Sequence, residues 1–225
     1  GEARFESEMG YTIVYVTCRF GLAALDTKVV FNQKGQISGL FFQPAEDTTA
    51  MAPQYQPPAY ADETKFSEEE VIVGEGEWLL PGTLTIPTGD GPFPAVVLVH
   101  GSGPNDRDES IGPNRVFKDL AWGLATQGIV VLRYEKRTRE YADRFSGEMM
   151  RMFTVQEEVI DDALAAVELL QARPEIDPAG IFVLGHSLGA TVAPRIAAQT
   201  YQMAGIIMLA AAARPIEDLM LEQST

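Results

Sequence analysis

The sequence predicts an α/β chain: a mostly parallel sheet with helices on both faces, preceded by a small antiparallel β-meander. Three observations predict it. From about residue 65 onward, short apolar runs alternate with segments of helical period, the pattern of strands buried on both sides. Before residue 43 there is no helical period, only runs rich in β-branched and aromatic residues separated by turn residues. Finally, the apolar run IFVL at 181–184 leads directly into Gly185-His186-Ser187-Leu188-Gly189 and then a small-residue helical run. A G-x-S-x-G pentapeptide thus stands between a strand and a helix, the context that a nucleophile elbow requires.

Taken in order, residues 11–42 read as the meander. YTIVYVTCRF and DTKVVF are strands, Asn32 to Gly35 is a turn and QISGLFF is the third strand. Cys18 lies in the first of these and reads as a small, buried or half-buried side chain rather than a nucleophile. Residues 43–64 carry Pro44, Pro53, Pro57 and Pro58 without a hydrophobic period, so they read as an extended linker. This divides the chain into a small domain at 1–42, a linker at 43–64 and a larger domain at 65–225.

In the larger domain EEEVIVGEG and WLLPGTLTIP are two strands joined by glycines, with a bulge or bend expected at Pro81-Gly82. GDGPFP is a turn, and a buried strand at 95–99 runs into a glycine-rich loop. Residues 115–127 place Phe117, Leu120, Ala121 and Leu124 on one helical face, with Gly128 as the stop. IVVLRY is the next strand. Thr154-Val155-Gln156-Glu157 is a capping box opening a helix whose inner face carries Val155, Val159, Ile160, Ala163, Val167 and Leu170. Pro174 ends that helix. The elbow strand, a helix to about Gln199 with a kink or local widening expected at Pro194, and a strand over residues 205–212 complete the series.

Composition excludes several classes of function. The 225 residues, 46% of them hydrophobic, suffice for a sizeable core in one large or two small domains. A net charge of −15 argues against nucleic acid and against anionic membranes. A single cysteine excludes an internal disulfide and a cysteine-based zinc site, and no apolar run reaches membrane-spanning length. The chain opens on Gly1 without a charged-then-apolar leader, as expected at a processing boundary, so both a cytoplasmic and an exported location stay open. No cofactor and no metal is implied.

The chemistry gathers at two glycine-rich turns. At the elbow, Ser187 must occupy a strained strand-to-helix turn, where side chains two residues before and after would collide with backbone; hence Gly185 and Gly189. The turn lifts the Ser187 hydroxyl above the sheet beside the first N–H groups of a helix, which favour negative charge. The second turn is His100-Gly101-Ser102-Gly103-Pro104. It lacks the phosphate-binding patterns G-x-x-x-x-G-K-[ST] and G-x-G-x-x-G. An oxyanion hole takes one donor from the residue after the nucleophile and one from such a loop. The backbone N–H groups of Leu188 and Ser102 are therefore assigned this role, with Gly103 the near alternative.

With HGSGPNDRD after one buried strand and GHSLG after another, the chain resembles the α/β-hydrolases, and is similar to bacterial serine esterases that carry these motifs after their third and fifth strands. The likeness covers roughly two-thirds of the chain, from about Val71. The front meander looks like the latter part of a small domain of unknown function that precedes such esterases. The resemblance implies an eight-stranded sheet and a Ser–His–Asp/Glu triad in the order nucleophile, acid, histidine. Ser187 matches the nucleophile. The acid and the histidine follow the family's seventh and eighth strands and are not found in this chain, so its hydrolase sheet is expected to be incomplete, stopping after about strand six.

Neither histidine replaces the missing one. The His186 side chain is expected to leave the elbow in another direction, and His100 to brace the oxyanion loop through hydrogen bonds. Glu217 and Asp218 read as the start of a further helix rather than as the acid. Asp106, Arg107 and Asp108 could bind substrate, but are expected rather to fix their loop by ion pairing. Surface or structural pairing is likewise expected for Arg133, Glu135, Lys136 and Arg137, although these follow a strand end and could border a cleft. Glu157, Glu158, Asp161 and Asp162 fall in the first turns of a helix, where acids favour its dipole.

These readings predict a serine hydrolase of carboxylic esters or related small acyl compounds, working through an acyl-enzyme on Ser187, with peptidase or acyltransferase chemistry on the same parts and a truncated or degenerate, non-catalytic binding protein as alternatives. The 225-residue chain alone is expected to be close to inactive. Its strand at 205–212 is expected to pair along its edge with a second copy or with a cleaved C-terminal piece.

Overall fold

The computed structural model describes residues 3–8, 11–19, 24–45, 54–145, 153–201, 203–215, 218 and 221–222. The chain forms two compact units, Gly1–Gln54 and Tyr55–Thr225.

The first unit is a four-stranded antiparallel sheet in the order β1-β2-β3-β4, comprising β1 (Ala3–Glu8), β2 (Tyr11–Arg19), β3 (Ala24–Phe31) and β4 (Ile37–Pro44). Strand β1, ARFESE, is too polar to have registered as a strand in the sequence. It is held by Asp26, which is buried and takes hydrogen bonds from Arg4 at 2.5 Å and from Thr17 Oγ1 at 2.6 Å. The β3–β4 turn is closed by Asn32, whose Oδ1 accepts the N–H groups of Lys34 and Gln36. Cys18 is half-buried.

The second unit is built on six strands: β5 (Phe66–Val73), β6 (Leu80–Pro87), β7 (Phe93–Val99), β10 (Val130–Tyr134), β11 (Ile176–His186) and β12 (Gly205–Leu209), in the order β12-β11-β7-β10-β6-β5. The pairs β12–β11, β11–β7 and β7–β10 are parallel, while β10–β6 and β6–β5 are antiparallel. A two-stranded ribbon, β8 (Ser110–Ile111) and β9 (Asn114–Arg115), lies apart from this sheet. The helices are α1 (Val116–Thr126), α2 (Arg137–Glu140), α3 (Asp161–Gln171) and α4 (Leu188–Gln199).

Strand period 2 sorts the core onto two faces. Ala95, Val97 and Val99 of β7, with Val130 and Leu132 of β10, pack with α3 and with Val192 and Ile196 of α4. The intervening Val96, Leu98 and Val131 pack with Phe117, Ala121 and Trp122 of α1. Burial on both faces explains the continuous apolar runs.

Several expectations are corrected. Gly82 makes no bulge: β6 keeps an unbroken register with β5 through it. A Cβ there would stand 2.9 Å from the Arg133 carbonyl oxygen, so close strand approach explains the glycine. The capping box forms, with Thr154 N–H on Glu157 Oε2 at 2.9 Å and Gln156 N–H on Thr154 Oγ1 at 3.1 Å. The turn it opens, however, is a π-helical segment, Gln156–Ile160, before α3 begins. Strand β12 stops at Leu209 rather than 212, because Ala210 turns into the left-handed region at φ 53°. The proline-rich segment is only partly a linker. Tyr55 donates to Asp119 at 2.9 Å, the Asp62 N–H donates to Thr126 Oγ1 at 2.9 Å and the Tyr60 ring lies against Gly123, so 55–62 lies on α1.

Candidate active site

Strand β11 delivers the chain to Ser187 and α4 carries it away. Ser187 has φ 53° and ψ −109°, a strained conformation for a residue with a side chain. Its N–H donates to the Leu209 carbonyl at 2.9 Å, and its own carbonyl accepts from Thr191 N–H and Thr191 Oγ1, both at 2.9 Å. The flanking glycines are required by contact. A Cβ on Gly185 would stand 2.3 Å from Gly189 C, and one on Gly189 would stand 2.3 Å from the Val99 oxygen. That crowding follows from the bond tying elbow to loop, in which Gly189 N–H donates to the His100 carbonyl at 3.0 Å.

The loop after β7 lies against the elbow: a Cβ on Gly101 would be 3.3 Å from the Ser187 Cβ. Leu188 opens α4, so its N–H has no intrahelical acceptor. Ser102 and Gly103 are exposed, Gly103 at φ 91°, and no backbone hydrogen bond engages their N–H groups among the described residues.

His100 is buried between Phe117 and Tyr134, with ring centroids 5.3 Å from each. Burial, reinforced by the charge of Lys136, pushes its pKa down to about 3 against the pull of the Asp106 and Tyr134 backbone, so the ring is neutral. Its Nε2 finds no hydrogen-bond partner among the described residues. The ring still braces the loop as expected, through its hydrogen bonding to the Asp106 and Tyr134 backbone and its packing on Phe117 and Tyr134, and the His100 carbonyl adds the bond to Gly189.

The group that the sequence did not reveal is Glu109. It is buried, adopts φ 47° and uses one oxygen, Oε1, to accept the Gly101 N–H at 2.7 Å and to meet His186 Nδ1 at 3.0 Å. The His186 side chain is thus turned away to Glu109. Among the described residues, no hydrogen bond joins either imidazole to Ser187 Oγ. Nothing in DRDES separates Glu109 from the charged residues beside it.

The remaining charges are engaged. Arg107 reaches Glu70 at 2.8 Å, Glu135 at 2.9 Å and Thr83 Oγ1 at 2.7 Å. Arg133 is buried between Glu68 and Asp108. Burial pushes the Asp106 carboxyl up, but hydrogen bonds from Ser110 prevail and hold it below the usual range. Two acids are corrected: Glu158 pairs with buried Lys136 at 2.7 Å, and Asp162 is itself buried against Arg137 instead of facing solvent at the helix start. Desolvation raises Asp162 to about 6 despite the guanidinium. Glu135 and Arg107 border one cleft of about 530 Å³ and Arg137 another of about 480 Å³; Ser187 lines neither. Asp218 is exposed, and Glu217 lies outside the described residues. No group of three potential metal-ligating side chains occurs among the described residues.

A sheet in this order, with a serine on a strained turn between a parallel strand and a helix and a glycine loop beside it, defines an α/β-hydrolase domain. The chain belongs to the Hydrolase_4 family, described as serine aminopeptidase S33, which matches residues 91–223. It is 45% identical over 213 residues to esterase EstD of Thermotoga maritima, a match covering 95% of this chain and 48% of that protein, so the chain spans about half the length of this curated relative. Among solved structures, it resembles brefeldin A esterase, a bacterial homologue of human hormone sensitive lipase, with a TM-score of 0.53 and 20% identity over 75% of this chain and 47% of the other. It also resembles a dienelactone hydrolase from Anabaena variabilis, with a TM-score of 0.52 and 22% identity over 65% of this chain and 64% of the other. Both likenesses are of fold.

Proposed function

We propose that the protein carrying this chain hydrolyses small carboxylic esters or related acyl compounds through an acyl-enzyme on Ser187. The observation that carries the reading is Ser187 at φ 53° on the elbow, against a loop anchored to it by the Gly189–His100 bond. The Ser187 oxygen attacks the acyl carbon and its proton passes to a base. The tetrahedral oxyanion rests on the N–H groups of Leu188 and Ser102, with Gly103 the alternative donor. Collapse of the intermediate expels the alcohol, and water then releases the acid. Each donor is worth roughly 3 kcal/mol in the transition state. The likeness to an esterase over nearly the whole chain supports ester over amide substrates. The family description keeps peptidase chemistry as the second reading, on the same serine.

His100 and His186 are both committed elsewhere, so the base and its acid partner are proposed to come from outside this chain, which alone is expected to be close to inactive. In the full-length protein, Ser187→Ala should lower turnover of an activated ester such as p-nitrophenyl acetate on the scale of roughly 10⁶. Retention of most activity would refute the assignment.

A further inference from the structure

We propose that Lys136 is a positioning residue that aims and polarises the Ser102 N–H toward the oxyanion; the proposal rests on the donor assignment above. Lys136 stands two residues beyond the end of β10, and its ammonium is almost completely buried. An isolated buried ammonium is costly and survives only with close acceptors. Lys136 has two, the Gly101 carbonyl at 2.9 Å and Glu158 Oε1 at 2.7 Å.

The first of these matters for chemistry. The Gly101 C=O and the Ser102 N–H belong to one peptide unit, which is planar and trans, so they point in opposite directions. Anchoring the carbonyl inward on Lys136 turns the Ser102 N–H outward. Asn105 Nδ2 adds a second bond to the same carbonyl, at 3.1 Å. The preceding peptide is fixed as well, because its Gly101 N–H is held by Glu109 Oε1 at 2.7 Å. Gly101 would otherwise be the most mobile point of the loop, since glycine has no Cβ to restrict it. Charged groups on both of its peptides replace that missing restriction.

A cation on the carbonyl also draws electron density through the amide and strengthens its N–H as a donor, as in any hydrogen-bonded chain. Glu158 closes the ion pair on the other side of Lys136, so the buried charge is compensated and the loop receives a dipole.

The test uses the full-length protein that contains this chain. Lys136→Met removes the ammonium and keeps the stem. The expected result is a fall in kcat of about 100-fold, with KM for p-nitrophenyl acetate held within about two-fold. Affinity for a phenylboronic acid, whose tetrahedral adduct mimics the oxyanion, should fall with kcat. The double variant Lys136→Met/Glu158→Met removes both charges, avoids stranding Glu158 and should show the same split, which covers the case in which the single variant fails to fold. Unchanged kcat in a folded variant would overturn the proposal. So would a loss shared equally by KM, which would place Lys136 in substrate binding. A wild-type protein that neither hydrolyses esters nor labels at Ser187 with a fluorophosphonate would instead refute the hydrolase reading, and this inference with it.

Discussion

Gly189→Ala should damage catalysis far more than stability. The new Cβ would stand 2.3 Å from the Val99 oxygen and 2.6 Å from the His100 oxygen, where ordinary contact begins at 3.4 Å. The end of β7 and the start of α4 must therefore part by about 1 Å. That movement breaks the Gly189–His100 bond, now 3.0 Å, at a cost of about 1 kcal/mol. Overpacking adds about 1–3 kcal/mol. For a chain of this size the sum lowers the melting temperature by roughly 5–15 °C. The same displacement separates the proposed Leu188 and Ser102 donors, and a misplacement of about 1 Å costs about 10²-fold in rate. The assay is kcat/KM for a p-nitrophenyl ester in the full-length protein, with calorimetry on the 225-residue chain. Gly128→Ala is the control: Gly128 has φ 87° with nothing within 4 Å of its missing Cβ, so it should cost about 1 kcal/mol and leave turnover unchanged. If Gly189→Ala and Gly128→Ala behaved alike, the argument that the elbow glycine sets donor spacing would fail.

Two further outcomes are expected. His100 has a folded pKa of about 3, below the usual value near 6.5, so below that upper value the unfolded state binds a proton that the folded state refuses. Its contribution is complete above pH 6.5 and is lost as pH falls toward 3, by up to about 1.4 kcal/mol per pH unit; a His100→Gln variant should lose less stability than wild type over that range in urea titrations, and equal slopes would refute the assignment. Strand β12 pairs only with β11 among the described residues, and Ile207, Met208 and Leu209 are 41%, 44% and 38% exposed. We propose that a second copy or a C-terminal piece covers this edge, so the 225-residue chain should sediment above monomer mass or retain such a piece; a bare monomer with freely exchanging amides at 206–209 would refute this.

Much of the fold was legible because its signals are local. Strands covered on both faces are mostly apolar, so β7, β10 and the end of β11 stood out. Gly128 and the Thr154–Glu157 box are punctuation that works within a few residues. The elbow was legible for the same reason, since strand, strained turn and helix are consecutive. What the sequence hid depends on distant partners. Strand β1 is polar and is fixed by Asp26, 22 residues from Arg4. Glu109 and Lys136 look like loop and surface charges until the fold carries them to the two peptides of Gly101, 8 and 35 residues away. Asp162 fits a helix-dipole role by position alone, and only tertiary packing turns it toward Arg137. The early end of β12 arises from one backbone torsion at Ala210, a residue type with no preference for it.

The strap of residues 55–62 bears on how this molecule can be taken apart. A cut placed at residue 64 would look safe from composition, since it falls after the last proline of the run. It would strip Tyr55, Tyr60 and Ala61 from α1, together with the Tyr55 and Asp62 hydrogen bonds, and leave the Tyr60-facing groove at Gly123 and the flank of Trp122 bare to water. The hydrolase unit therefore wears a piece of its connector as skin. Anyone transplanting this unit to another protein should begin it at Tyr55 or earlier; a version begun at residue 65 would carry an adhesive helix on its surface.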